Sequence, residues 1–154
     1  MAEPRYDRDP VVSIQNLKKH FPIKTGVFSR TVGHVKAVDG VSFDIYPGET
    51  FALVGESGCG KSTTGQVVLR LQNATAGEVL YRGENVYTAT EERLRLMRKE
   101  MQIVFQDPYS ALNPRMTVGA AIKEILQVHN IATGSEAMDR AEEVLVRYFL
   151  QSHL

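Results

Sequence analysis

The apolar and polar positions in the first half of the chain predict strands separated by turns. Residues 11–17 are rich in Val and Ile, and residues 34–45 form a second strand-like run that ends at a Pro-Gly turn. Proline and glycine punctuate the stretch between them, which predicts a loop over 22–33. Residues 51–54 read FALV and are bounded by glycine, as is typical of a strand buried on both faces of a sheet.

After this point the pattern alternates between helix and strand. A helix-compatible run at 61–71 follows the predicted buried strand, and residues 77–81 predict another strand. The apolar residues 103–105 are again strand-like and precede a turn-rich segment over 107–115. Strands that come first and then alternate with helices predict an α/β fold.

Three polar residues mark the starts of further helices. Thr88, with Glu91 three residues later, forms a capping-box pattern, while Thr117 and Ser135 precede apolar residues at helical spacing. The predicted inner stripes of these helices are, in chain order, Leu94, Met97 and Met101; Val118, Ala121, Ile122, Ile125 and Leu126; and Ala137, Ala141, Val144 and Leu145.

Composition and charge limit the class of protein. The chain has 154 residues, 43% apolar and 23% charged, which fits a globular protein of ordinary domain size. Lys plus Arg and Asp plus Glu both number 18, so the zero net charge does not indicate a nucleic-acid partner. No apolar run approaches the roughly 18 residues of a membrane-spanning helix, and residues 1–10 lack the apolar stretch of a secretion signal. A single cysteine excludes an intrachain disulfide, so we expect a soluble, cytosolic protein.

Acidic and basic residues are not evenly distributed near the start of the chain. Residues 11–38 contain no acidic side chain. They carry five basic ones, which are Lys18, Lys19, Lys24, Arg30 and Lys36. This charge either faces a phosphate group or belongs to a solvated loop, and the sequence leaves both interpretations open.

One segment carries recognisable chemistry. Residues 55–62 fit the P-loop pattern G-x-x-x-x-G-K-[ST] and lie between a predicted strand and a predicted helix. The loop comprises Gly55, Glu56, Ser57, Gly58, Cys59, Gly60, Lys61 and Ser62. Its glycines allow a tight turn in which backbone N–H groups converge on a nucleotide phosphate, and the following helix adds its positive dipole end. The alternative is a glycine-rich turn that binds no ligand.

The residues at the end of this loop have distinct predicted roles. Lys61 is placed to reach the β- and γ-phosphates, the Ser62 hydroxyl to ligate Mg²⁺, and Thr63 to touch the α-phosphate. Cys59 occupies a variable position of the pattern, where a small residue fills space. The predicted ligand is therefore a nucleotide with Mg²⁺.

Other patterns narrow the class of P-loop protein. The N-K-x-D and D-x-x-G patterns of GTPases do not occur. A small P-loop kinase is a weak alternative, because the clustered Arg93, Arg95 and Arg98 fit a solvated helix face better than a lid. These patterns disfavour the GTPase class and the small-kinase class.

An apolar stretch that ends in glutamine points to one class of ATPase. Residues 102–108 read QIVFQDP, with Gln106 lying 45 residues beyond Lys61, and this segment resembles the Q-loop of ABC-type ATPases. A Walker B strand over 103–107 is disfavoured because Gln106 intervenes before Asp107. The same resemblance extends to HFPIK at 20–24, VKAVDGVSF at 35–43, residues 54–64 and LNPRMTV at 112–118. Over roughly residues 11–146 the chain resembles the ATP-binding subunits of oligopeptide/dipeptide ABC importers.

This resemblance implies a fold and a domain organisation. The implied fold is a P-loop NTPase of the ABC type, truncated, with an antiparallel β element before the P-loop strand. The implied organisation is a tail at 1–10, a RecA-like β core over 11–116 that contains the P-loop and Q-loop, and the start of a helical subdomain over 117–154 with an aberrant C-terminus.

The resemblance also implies site residues and partners. Gln106 would ligate Mg²⁺ and position the attacking water, and the loop around it would contact the transmembrane subunits of the importer. Phe21 is the candidate for stacking on adenine, with Phe28 as the alternative, and a packing role for Phe21 stays open. The implied ligands are ATP and Mg²⁺. The other implied partner is a second ATPase subunit, and no nucleic-acid partner is implied. The implied location is the cytoplasmic face of the cell membrane.

Several motifs of a complete ABC cassette do not occur in the sequence. It contains no LSGGQ signature, no apolar run ending in Asp-Glu and no switch histidine in that context. We therefore expect a truncated or frameshifted product with weak or no hydrolysis on its own, and low solubility if residues 51–54 form an unpaired sheet edge. The alternative function is a nucleotide-binding remnant without catalysis.

Overall fold

The computed structural model describes residues 9–26, 29–107 and 112–151, with side chains up to Tyr148. Phe28, the alternative adenine-stacking residue, lies outside these ranges, as do most of the predicted tail and part of the turn-rich segment. The chain divides into two compact units, Met1–Leu94 and Arg95–Leu154. The elements are, in chain order, β1 (Val12–Thr25), β2 (Arg30–Ile45), α1 (Lys61–Val68), β3 (Ala76–Tyr81), β4 (Glu84–Asn85), α2 (Glu91–Glu100), α3 (Val118–Val128) and α4 (Gly134–Gln151).

A four-stranded antiparallel sheet in the order β2-β1-β3-β4 forms the framework of the first unit. β1 and β2 make a long hairpin whose strands leave only residues 26–29 between them. The prediction of a loop over 22–33 is therefore wrong. Among the described residues β1 pairs with β3 no further than Lys18, so Pro22 removes no ladder hydrogen bond on that edge. The predicted strands at 11–17, 34–45 and 77–81 are confirmed as parts of β1, β2 and β3.

A β-bulge in β1 directs two large side chains into the core. Asn16 has a left-handed φ of 47° and no partner in either ladder, and its N–H donates to Ser42 Oγ at 2.8 Å. In a regular strand, residues three apart point to opposite faces. The bulge instead lets Ile14 and Leu17 both be buried in the core.

Helix α1 packs on this sheet and ends three residues earlier than the predicted 61–71. It ends at Val68 because Arg70 adopts a left-handed φ of 51° and the Leu71 N–H donates back to the Gln66 carbonyl at 2.8 Å. The buried apolar side chains of this unit are Ile14, Leu17, Val38, Val67, Val79, Tyr81, Val86 and Leu94.

The segment after β4 fixes the C-terminal end of α1. The Tyr87 hydroxyl donates to the Val67 carbonyl at 2.6 Å. The Arg70 guanidinium donates to the carbonyls of Val86 and Ala89 at 3.0 and 3.2 Å. Because α1 begins at the P-loop, these bonds hold in place the helix that carries the loop.

Tyr87→Phe is expected to lower the free energy of unfolding by about 1 kcal/mol at neutral pH, because it removes the hydroxyl that donates to Val67. The loss stays modest because the Arg70 N–H also donates to that carbonyl, at 2.9 Å. Urea unfolding of the two proteins followed by circular dichroism measures the difference. An unchanged midpoint would show that this hydrogen bond contributes nothing to anchoring α1.

The same substitution is expected to change the stability of the protein in alkali. Burial raises the pKa of Tyr87 to about 12, so the folded state favours the neutral phenol. The resulting stabilisation is fully present below pH 10 and is lost as the pH rises from 10 through 12, because the unfolded chain ionises first. The wild type should therefore lose more stability than Tyr87→Phe over that interval, measured as the change in urea midpoint with pH.

Two segments predicted as strands do not form strands in the structure. Residues 51–54 and 103–105 make no backbone hydrogen bond to another described residue, and Val54 and Val104 are 90% and 92% exposed. The predictions of a strand buried on both faces and of a second strand are therefore wrong within the described chain. A strand requires a hydrogen-bonded neighbour, which an apolar sequence alone does not provide.

Helix α2 has the predicted inner face but a different cap. Leu94 and Met97 are both buried, as the apolar spacing predicts. The prediction that Thr88 caps this helix is wrong. The capping residue is Thr90, whose Oγ1 accepts from the Arg93 N–H at 3.2 Å. The Thr88 hydroxyl instead donates to the Asn85 carbonyl at 3.3 Å, so it belongs to the turn after β4.

The second unit contains the helix pair α3 and α4. The predicted cap of α3 is confirmed, since the Ala120 N–H donates to Thr117 Oγ1 at 3.2 Å. On α4 the predicted inner residues Ala137 and Ala141 are fully buried. Val118, Ile125 and Val144 were predicted to face inward but are exposed, because packing between two helices covers only a narrow stripe. Within the described ranges no helix is both long and apolar enough to cross a bilayer.

Candidate nucleotide-binding site

The ammonium group of Lys61 lies over the P-loop itself. Its Nζ donates to the carbonyls of Gly55 and Glu56 at 2.7 and 2.6 Å and lies 3.5 Å from Cys59 Sγ. These partners are neutral, and no described carboxylate forms a salt bridge with this lysine. The loop therefore holds a positive charge that no described acidic group neutralises.

The glycines of the loop occupy positions that a larger residue does not fit. Gly60 has a left-handed φ of 95°, and a Cβ on it would lie 2.1 Å from the carbonyl oxygen of Ala37. A Cβ on Gly55 would lie 2.6 Å from Cys59 Sγ. Gly58 also has a left-handed φ, of 82°, but open space around it. Close contacts thus require glycine at positions 55 and 60. The left-handed backbone favours glycine at positions 58 and 60.

The first turn of α1 presents N–H groups to the same loop. Gly60 is the N-cap and makes no side-chain capping bond, and the first turn contains no acidic residue. Thr64, the first residue with an intrahelical acceptor, donates both its N–H and its hydroxyl to the Gly60 carbonyl, at 2.8 and 2.9 Å. The preceding N–H groups, those of residues 61–63, are available to an anion at the positive end of the helix.

A β-bulge in β2 supplies the wall against which Gly60 packs. Lys19 pairs with Val38 and His20 pairs with Lys36, so Ala37 has no partner in the β1–β2 ladder. A cavity of about 330 Å³ lies between this part of β2 and the P-loop. Its lining includes Lys36, Val38 and Asp39 on the strand side and Cys59, Lys61 and Thr64 on the loop side.

A charged cluster stands on the strand side of this cavity. Asp39 Oδ2 accepts from Lys36 Nζ at 3.1 Å, and Asp39 Oδ1 lies 2.9 Å from His20 Nε2. The hydrogen bond from Lys36 and then that from His20 lower the pKa of Asp39. The sequence alone gave no reason to single out Asp39, because its contacts depend on the strand register.

The structure brings together most of the predicted phosphate-binding residues. The run from Gly55 to Gly60 forms the loop, and Lys61, Ser62 and Thr63 form the first turn of α1. The side chains of Glu56, Ser57 and Ser62 are exposed. These positions fit a bound polyphosphate, since the N–H groups at the start of α1 and the Lys61 ammonium are the donors that it needs.

Two further residues predicted for the site belong to other parts of the chain. Phe21 is partly exposed on β1 opposite Val35, and the Lys19 ammonium lies 4.9 Å from the centre of its ring. Gln106 belongs to the second unit, where its exposed side chain follows residues 103–105. Adenine stacking by Phe21 and magnesium binding by Gln106 remain predictions.

Comparison with known proteins identifies the family of this fold. The family model described as ABC transporter matches residues 38–153. The chain is 47% identical over 142 residues to the oligopeptide transport ATP-binding protein AppF of Bacillus subtilis (strain 168). It is 44% identical over 141 residues to the glutathione import ATP-binding protein GsiA of Escherichia coli (strain K12). Each alignment includes 92% of this chain but only 43% and 23%, respectively, of the relative.

Solved structures agree with this assignment. A dimeric structure of MJ0796, a bacterial ABC transporter cassette, matches with a TM-score of 0.66 and 25% identity. A dimeric post-hydrolysis state of the same cassette, bound to ADP and Pi, matches with a TM-score of 0.65 and 27% identity. Both matches include 86% of this chain and 54% of the solved one. The chain belongs to the ABC transporter family and has the fold of its ATP-binding cassette.

Proposed function

We propose that this chain binds ATP with Mg²⁺ at the P-loop, as the nucleotide-binding part of a peptide-importer ATPase. One observation carries the proposal: the Lys61 ammonium and the N–H groups at the start of α1 converge on one loop, and no described carboxylate forms a salt bridge with that lysine. A site of this kind attracts a polyanion such as a nucleotide triphosphate. The names of the two relatives, which refer to oligopeptides and to glutathione, support a peptide as the transported substrate.

Each residue of the site has a proposed role. The N–H groups of residues 55–63 bind the phosphates, with Lys61 at the β- and γ-phosphates. The Ser62 hydroxyl and the Gln106 amide would hold Mg²⁺, which neutralises phosphate charge when it is bound. Gln106 also positions the attacking water, and Phe21 stacks on adenine.

The proposed assembly extends beyond this chain. ATP hydrolysis drives peptide import in the complete protein, which pairs with a second ATPase subunit and contacts transmembrane subunits through the loop around Gln106. This assembly lies on the cytoplasmic face of the cell membrane. The proposed organisation of the chain stays a tail at 1–10, a β core at 11–116 and a helical part at 117–154.

Lys61→Ala is expected to weaken ATP binding at least tenfold. The substitution removes a charge-assisted contact to phosphate worth about 1.5–3 kcal/mol. Titration of the full chain with ATP and Mg²⁺ in a calorimeter gives the two dissociation constants.

Lys24→Ala provides the matched control, because it removes the same charge from an exposed position near the hairpin turn. It should leave ATP affinity close to that of the wild type. Equal affinity of Lys61→Ala and the wild type would contradict the proposed phosphate site.

A further inference from the structure

We infer that Lys36 is a second cation for the phosphate chain of the nucleotide, held beside the cavity by Asp39. This inference rests on the proposed function, since it concerns the same ligand. It assigns a role to one of the five basic residues whose purpose the sequence leaves open. The ligand feature it recognises is the polyphosphate chain.

The backbone of β2 explains why Lys36 and Asp39 meet. Residues three apart on a regular strand point to opposite faces. Here Ala37 is bulged between the two residues, and Gly40, directly after Asp39, has a left-handed φ of 82°, so the strand is irregular at this pair. Lys36 Nζ consequently reaches Asp39 Oδ2 at 3.1 Å, and both residues line the cavity that also contains Lys61.

The charges around this cavity favour a polyanion bound between two lysines. Lys61 lies on the loop side and Lys36 on the strand side, and the carboxylate of Asp39 stands beside Lys36. The Lys36 ammonium has three N–H donors, of which one is directed to Asp39. It can therefore donate to a phosphate oxygen as well, while Asp39 remains hydrogen-bonded to His20.

The same arrangement places the negative charge of Asp39 where it opposes the binding of a phosphate chain. Its carboxylate holds Lys36 in place, but it also competes with phosphate for that ammonium and repels a polyanion. Replacing it by asparagine keeps a side-chain oxygen while it removes the negative charge. Opposite effects of changes at residues 36 and 39 are therefore the signature of this site.

The experiment is ATP titration of Lys61→Ala and of three further variants of the full chain, at low and at high salt. Lys36→Met is expected to weaken ATP binding about two- to fivefold at low ionic strength, the range of an exposed ion pair, and less in 0.5 M salt. Asp39→Asn is expected to strengthen ATP binding. Lys24→Met, which loses the same charge elsewhere on the hairpin, should have little effect, and the loss in Lys36→Met should shrink when AMP replaces ATP.

The outcomes separate the two proposals. If Lys61→Ala binds ATP like the wild type, the phosphate site itself is wrong. If Lys61→Ala is impaired while Lys36→Met equals Lys24→Met, or if Asp39→Asn weakens binding, the role of Lys36 is overturned and the P-loop site stands. Circular dichroism checks that each variant is folded, and Asp39→Asn tests the inference independently if Lys36→Met is not.

Discussion

Gly60→Ala is expected to weaken ATP binding more than tenfold and to lower the free energy of unfolding by about 2–5 kcal/mol. The left-handed backbone at Gly60 costs about 1–2 kcal/mol for any residue with a Cβ. The added atom would also lie 2.1 Å from the Ala37 carbonyl, and forcing extra atoms into a packed site costs about 1–3 kcal/mol. Because the obstacle is backbone rather than a flexible side chain, the loop or strand β2 must move.

Gly58→Ala is the control that separates these two causes. Gly58 has a similar φ of 82° but no atom within 4 Å of the added Cβ, so only the backbone cost of about 1–2 kcal/mol applies. Urea unfolding gives the stabilities, and calorimetric titration gives the ATP affinities. If the two variants are equally stable and bind ATP equally well, the contact between Gly60 and Ala37 does not shape the site.

The proposed phosphate-binding loop can be predicted from the sequence because the residues that form it are neighbours along the chain. The pattern at 55–62 sets the turn, the lysine and the helix start within eight residues, and the structure places all three together. Thr117 is a comparable case, since a cap bonds to an N–H three residues away. Glycine-rich turns and helix caps depend on residues that are close along the chain, so a sequence pattern is enough to predict them.

The strand side of the site depends on the pairing register of β1 and β2, which cannot be predicted from the sequence. Ala37 is bulged because Lys19 pairs with Val38 while His20 pairs with Lys36, and nothing in VKAVDGVSF marks that slip. The same register places Lys36 beside Asp39. The roles of Phe21 and Gln106 were inferred from resemblance, and they await a measurement with nucleotide.

Leu17→Ala is expected to lower the free energy of unfolding by about 2–5 kcal/mol, the range for truncating a fully buried leucine. Leu17 is 0% exposed and lies on β1, the strand that pairs with both β2 and β3. The bulge at Asn16 turns it inward, so the vacated space has few ways to close without changing the register. The measurement is the urea midpoint of the variant against that of the wild type.

Leu71→Ala should change stability by less than about 1 kcal/mol, because its side chain is 50% exposed and follows the end of α1. Equal losses at residues 17 and 71 would contradict the assignment of Leu17 to the buried core. ATP affinity adds a second distinction, because Leu17 does not line the cavity beside the P-loop. Folded Leu17→Ala should bind ATP like the wild type. Gly60→Ala should lose both stability and affinity, since Gly60 packs against the backbone of β2 and also belongs to the proposed phosphate loop.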